Sequence, residues 1–232
     1  MKVIIFGATG MVGSEVLHHC LNNNNIENVI SIGRRSTGIT HVKLQEIEHD
    51  NFLNFTNLAS VLKKVDVCYY CLGVYQTQVD KQAFWEITVG YVSALISTLE
   101  DANPEIRFCL FSAQGADQTE KTPFLFGKAK GRAEKYLLNS SLKDKYILRP
   151  GYINPSRTRA DFMWSAAIFK PIYRLMPFIG VDAEELGKAM VDIGVNGNHT
   201  AVFENSDIRN WDKSHNRNVS AKASTSCCFS PR

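Results

Sequence analysis

Residues 2–13 constrain this chain more than any other stretch. An apolar run, Lys2-Val-Ile-Ile-Phe6, leads directly into Gly7-Ala-Thr-Gly10-Met-Val-Gly13, where a helical pattern begins. A strand that turns through spaced glycines into a helix suits dinucleotide binding. The first glycine makes the sharp turn, the second lets the backbone approach a pyrophosphate, and the third lets helix and strand pack closely. Gly7, Gly10 and Gly13 take those places, and Thr9, Met11 and Val12 complete a turn whose N–H groups sit at the positive end of the helix, where phosphates bind. Val12, Val16, Leu17, Cys20 and Leu21 then make one apolar stripe that can pack on a sheet.

The same alternation continues down the chain. Short β-branched runs near 2–6, 28–33, 42–48, 65–72, 105–113, 144–149 and 200–204 alternate with helical patterns near 10–22, 54–64, 80–102, 124–141, 161–176 and 182–196. That order implies βαβ units: an α/β, doubly wound Rossmann fold with a mainly parallel sheet and a short C-terminal substrate-covering segment. Only eight residues separate Gly33 from Val42, too few for a crossover helix, so this link is irregular or the third strand is placed wrongly. We expect one NAD(P)-binding domain over 1–211, in which about 152–204 form a lid and the last strand. Residues 212–232, rich in Ser, Asn, Lys and Arg without apolar periodicity, read as a disordered tail.

Composition excludes several classes. Hydrophobic residues at 44% and charged residues at 21% suit a soluble globular protein, and a net charge of +3 is too small for a nucleic-acid surface. The apolar stretch 162–179 is broken by Lys170, Pro171, Arg174 and Pro177, so no transmembrane segment is expected. The chain enters its first strand too early for a secretory signal peptide. Of six cysteines, Cys20, Cys68, Cys71 and Cys109 lie in apolar runs, and Cys68-x-x-Cys71 falls within a strand-like run rather than at a helix start. They read as reduced packing residues, with neither a redox pair nor a metal site implied, and the expected location is cytoplasmic.

The second strand bears on the nucleotide. An NAD site carries an acid there to hold the ribose 2′-OH, whereas this chain has Gly33 followed by Arg34 and Arg35. Two guanidiniums suit a 2′-phosphate, so the expected cofactor is NADP (NADPH); the plainer reading is a solvated basic turn. Asp50, after the third strand, reads equally as an adenine contact or as a turn residue. Leu72 and Gly73 end the fourth strand, where the chain can pass close to the cofactor.

Further runs extend the pattern: Ser112-Ala-Gln-Gly-Ala-Asp117, Lys130-Gly-Arg-Ala-Glu134 and Leu148-Arg-Pro-Gly151. Together with the glycine turn, Gly33-Arg-Arg35 and Cys71-Leu-Gly73, they resemble the short-chain dehydrogenase/reductase superfamily over residues 1 to about 210. The closest likeness is to its atypical branch, the NmrA-like and Tat-interacting-protein-like oxidoreductases of the NAD-dependent epimerase/dehydratase type. The resemblance implies a serine that polarises a carbonyl, a tyrosine that donates a proton, and a lysine four residues later that lowers the tyrosine pKa and holds the cofactor ribose. Ser112 and Lys130 match the serine and the lysine, but the tyrosine position holds Phe126, which has no proton to give.

Phe126, Lys130, Ala133 and Leu137 share one helical face, so Lys130 needs a partner, either a cofactor ribose or Glu134 one turn on. Tyr75 and Tyr152, after strands four and six, stand where a substitute acid would be sought, although packing or substrate contact is the commoner use. The leading expectation is an NADP(H)-dependent oxidoreductase acting on a small-molecule carbonyl or alcohol substrate. Its rivals are an NADP(H)-binding regulatory protein without turnover and, less favoured for want of the tyrosine, a sugar-nucleotide epimerase-like enzyme. The apolar 150–180 stretch suits a lid, a homodimer contact, a membrane-surface helix or plain packing, and a regulatory protein partner belongs to the second reading.

Overall fold

Alternate residues of the first strand face opposite sides of the sheet, and both sides are buried. Val3 and Ile5 join one apolar cluster while Ile4 and Phe6 join another. That is why the strand reads as an unbroken apolar run, as parallel strands covered on both faces do. A computed structural model describes residues 1–156, 173 and 176–212. Its strands are β1 (Lys2–Phe6), β2 (Asn28–Gly33), β3 (Leu44–Glu48), β4 (Val67–Tyr70), β5 (Arg107–Phe111), β6 (Asp144–Arg149), β7 (Tyr152–Asn154), β8 (Gly180–Asp182) and β9 (Val202–Glu204). Seven of them form one parallel sheet in the order β3-β2-β1-β4-β5-β6-β9, and β7 pairs with β8 in a separate small sheet.

The order reverses between β1 and β4, the switch point at whose carboxyl ends open α/β sheets bind ligands. Helices cover both faces. α1 (Met11–Asn22) lies on the first, with Val16, Leu17 and Cys20 fully buried. The second face carries α2 (Ala59–Leu62) and α3 (Lys81–Trp85), which runs through a π-helical turn into α4 (Tyr91–Ala102). It also carries α5 (Leu125–Asn139); Leu95 and Leu99 of α4 and Leu137 of α5 are fully buried.

The irregular link is the correct choice for residues 34–43. β3 begins at Leu44, and Val42 is almost wholly exposed. The link is held by a side chain instead of a helix: the Glu46 carboxylate accepts from the Ser36 hydroxyl at 2.6 Å and the Thr37 N–H at 2.7 Å.

The C-terminal part needs a larger correction. α6 (Ala183–Asn196) packs on α1 and completes the cover of the first face, with Leu186, Met190 and Ile193 in the core, so it is not part of a lid. The expected helix near 161–176 and the tail from 213 lie outside the described residues. After α7 (Asn205–Arg209), Trp211 is 7% exposed, meets the Phe203 ring at 5.7 Å and donates from its indole to Asp192 at 3.2 Å. Trp211→Ala is therefore expected to lower stability by about 3–5 kcal/mol, measured by urea unfolding. A chain ending at Asp212 should keep native stability, and a chain ending at Asn210 should show the same loss as the alanine variant.

Candidate functional site

A cleft opens at the switch point. Gly7 sits at φ +85°, and a Cβ there would stand 2.9 Å from the backbone carbonyl of Cys71, so a side chain is doubly excluded. At Gly13 a Cβ would lie 2.1 Å from the Gly7 oxygen, which explains how α1 can start flush against the turn. Gly10 caps α1 without a side-chain hydrogen bond, and only the Gly7 oxygen, at 3.1 Å, lies near its Cβ position. The first N–H groups of α1 thus remain open to an anion at the positive helix end, as a dinucleotide pyrophosphate requires. Val12 is buried, so it can contribute only backbone there, and Met11 is partly exposed.

Gly7 and Thr9 from the turn, Ser31, Gly33, Arg34 and Arg35 from the end of β2, and Phe52 and Leu72 line the cleft. The structure therefore brings together the glycine turn, the arginine pair and the end of β4. Arg34 and Arg35 are exposed, and among the described residues neither has an ion-pair partner. Glu46 of β3, which pairs across from Ser31, is already committed to Ser36 and Thr37. Gly73 faces open space beyond the cleft wall.

Asp50 does not join the wall. It is exposed past β3, while Phe52, two residues on, closes that side and stacks on Tyr91 at 5.4 Å. Phe52 and Ser31 were missed by sequence reasoning. Their signals were a polar residue inside an apolar strand and an aromatic just beyond a strand end.

The second cluster lies at the ends of β5 and β6. Ser112 is 1% exposed, and its hydroxyl donates to Glu134 Oε1 at 2.6 Å. Glu134 is fully buried and also accepts from Gln118 at 2.8 Å and from both Nε and Nη2 of Arg149, with the Nε bond at 2.9 Å. Arg149 reaches on to Glu204 at 2.8 Å, tying the edge strand β9 to α5. This corrects the reading of Ser112 as a free carbonyl-polarising group: its proton is spent on a buried carboxylate. The sequence offers Glu134 only as a partner for Lys130, because its partners Ser112, Gln118 and Arg149 come from other segments of the chain.

Lys130, one turn earlier on α5, is partly buried. Its ammonium donates weakly to the Phe111 carbonyl at 3.4 Å and stands 5.4 Å from the centre of the Phe111 ring. Burial pushes its pKa down to about 8, against opposing pulls from Glu134 and Cys71. Phe126 stacks on Phe84 at 6.3 Å, so no phenol stands at that helix position. Tyr75 and Tyr152 lie close enough to influence one another, and burial raises the pKa of both. Tyr152 also meets the Tyr173 ring at 5.5 Å.

The cysteine reading agrees with the structure. Cys20, Cys68, Cys71 and Cys109 are buried free thiols, and burial raises the pKa of all four. Among the described residues no helix is long and apolar enough to cross a membrane.

Residues 3–142 match the model of the NAD dependent epimerase/dehydratase family. The protein "fmp52, mitochondrial" of Aspergillus niger is 26% identical over 208 residues, covering 84% of this chain and 87% of its own length. Its namesake in Candida albicans is 23% identical over 219 residues, covering 85% and 90%. Among solved structures, a short chain dehydrogenase family protein of Francisella tularensis superposes with a TM-score of 0.66 at 15% identity, over 88% of this chain and 96% of that one. The UDP-glucuronic acid 4-epimerase of Bacillus cereus, solved with UDP-glucuronic acid and NAD, has a TM-score of 0.66 at 17% identity, over 88% and 77%.

The mitochondrial names of the relatives overturn the cytoplasmic expectation. Reduced thiols, its main support, fit any reducing compartment and do not single out the cytosol.

The buried carboxylate generates a stability prediction. Removing Glu134 leaves Ser112 and the Nε and Nη2 groups of Arg149 without their acceptor, so Glu134→Ala should cost about 3–5 kcal/mol. Glu134→Gln should cost less, because one amide oxygen still accepts. Urea unfolding of both variants, with cofactor affinity as a parallel readout, checks the order.

Proposed function

Because this chain belongs to the NAD dependent epimerase/dehydratase family, within the atypical short-chain dehydrogenase/reductases, we propose that it is an NADP(H)-dependent oxidoreductase acting on a small carbonyl or alcohol. The observation that carries the cofactor choice is the pair Arg34 and Arg35, lining the cleft with no ion-pair partner among the described residues. Guanidinium forks suit the 2′-phosphate that distinguishes NADP from NAD. The open N–H groups after Gly10 would hold the pyrophosphate, with Leu72 and Gly73 along the cofactor's path. When bound, the nicotinamide supplies or accepts a hydride.

With Phe126 in the tyrosine place and Ser112 bonded to Glu134, Lys130 is the ionisable group left on that helix face. At neutral pH its ammonium holds a proton, and a pKa near 8 lets it release that proton to a substrate oxygen as negative charge develops there. Tyr75 and Tyr152 would border the substrate at the strand ends. By analogy with the relatives' names, we place the protein in mitochondria.

Two measurements test this reading. NADPH should bind more tightly than NADH in calorimetry, and replacing both Arg34 and Arg35 with Ala should erase the difference while leaving NADH binding unchanged. Equal affinities in the native protein would remove the assignment.

Steady-state NADPH oxidation over a panel of quinones and aldehydes should be level below pH about 8 and fall above it, as Lys130 loses its proton. Lys130→Ala should abolish it. Phe126→Tyr, which adds a phenol beside that cation, should raise turnover by up to about a hundredfold. Tight NADPH binding with no turnover in any of these proteins favours the second reading, a cofactor-binding regulator. The spent hydroxyl of Ser112 and the phenyl ring of Phe126 are the observations that speak for it.

A further inference from the structure

The outer half of α1 carries groups that the cofactor cleft does not use. Glu15-Val-Leu-His18-His19 places a carboxylate three and four residues before two imidazoles. On a helix, that spacing sets His18 and His19 on either side of the turn below Glu15, all three on one face. One ligating atom from each lies within 4.8 Å of the other two.

Two further observations point to a missing ligand. His19 Nε2 is buried and, among the described residues, has no hydrogen-bond partner, which is rare for a buried polar atom. Glu15 is only 7% exposed and held in place, because Ser156 Oγ donates to its Oε1 at 2.8 Å. Among the described residues Glu15 takes part in no ion pair. From the facing helix, the Glu184 backbone hydrogen-bonds to the His19 ring and its side chain adds a smaller Coulombic pull.

We propose that Glu15, His18 and His19 form a binding site for a divalent transition metal of the zinc class. Two imidazole nitrogens and one carboxylate oxygen are a donor set that zinc accepts, with a remaining position for water. Magnesium and calcium, which require mainly oxygen, are poorly served by it. Donors around tetrahedral zinc stand about 3.3 Å apart for bonds of about 2.0–2.1 Å, so side-chain rotation of about an ångström closes the site. Binding through His18 Nε2 would replace the 3.3 Å contact from Asn22 Nδ2. Ser156 acts as an outer partner that aims Glu15. The metal would thereby clamp α1 to the segment just after β7, at the cofactor edge of the sheet.

The test uses the full chain, stripped with a chelator and titrated with Zn2+ alone by calorimetry, with Co2+ as a spectroscopic substitute. The expected result is one tight equivalent of Zn2+, a higher unfolding temperature on binding, and a Co2+ spectrum without a thiolate charge-transfer band. His19→Ala should abolish the equivalent. Ser156→Ala should weaken it by about tenfold to a hundredfold, as the loss of an outer-shell partner does, and cofactor affinity in both variants shows that they are folded. Tight binding that survives His19→Ala, or that disappears in a Cys227→Ser, Cys228→Ser double variant, assigns the metal to thiols and overturns the site. Absence of tight Zn2+ binding in the native chain overturns it as well.

Discussion

The backbone of the first turn touches the backbone at the end of β4, with no room for a side chain between them. A Cβ on Gly7 would stand only 2.9 Å from the Cys71 carbonyl, and Gly13 lets the first helix begin against the same turn. This contact sets how far β1 and β4 diverge beyond their last pairing, and hence the width of the cleft at the switch point. It also aims the open end of α1 along the cleft. Every other feature of the site is positioned from this junction: the arginine pair on one flank, the end of β4 beneath, and the β5 and β6 ends on the other flank.

The second flank is governed by electrostatics. One fully buried carboxylate, Glu134, gathers a hydroxyl, an amide and a bidentate guanidinium from three segments. A buried ion pair stabilises little in net terms, since desolvation offsets the Coulomb attraction, yet breaking it is costly. Its effect is geometric: it locks the loop after β5 to α5 and anchors the edge strand through Arg149 and Glu204. The same arrangement commits the Glu134 oxygens elsewhere, so Lys130 feels only a Coulombic pull from that carboxylate and donates instead to the Phe111 carbonyl. A partly buried ammonium with a weak carbonyl contact is then free to serve a ligand, and burial brings its proton affinity near the working pH.

Several sequence readings failed for one reason. Ser112 was assigned a role from its place after β5, yet the direction of its hydroxyl depends on Glu134, twenty-two residues away. Asp50 was chosen by its distance past β3, whereas the wall is closed by Phe52, held by a ring stack with Tyr91 from another element. The segment 183–196 looked like part of a cover because it follows the cofactor half of the chain. Its apolar stripe instead matches the stripe on α1.

What the sequence determined by itself was local and periodic. The glycine spacing between Phe6 and Val12, the apolar strands buried on both faces, the helical stripes and the absent phenol at Phe126 could all be read directly, because each depends on residues within a few positions of one another. Tertiary structure alone decided which polar groups are spent and which are free. Glu134, Ser112 and Arg149 meet only after β5, β6 and α5 have packed. The isolation of Arg34 and Arg35, the weak contacts of Lys130 and the orphaned nitrogen of His19 are likewise properties of the folded chain. Hydrogen-bond partners come from whatever the topology brings within 3 Å, and no local periodicity encodes that.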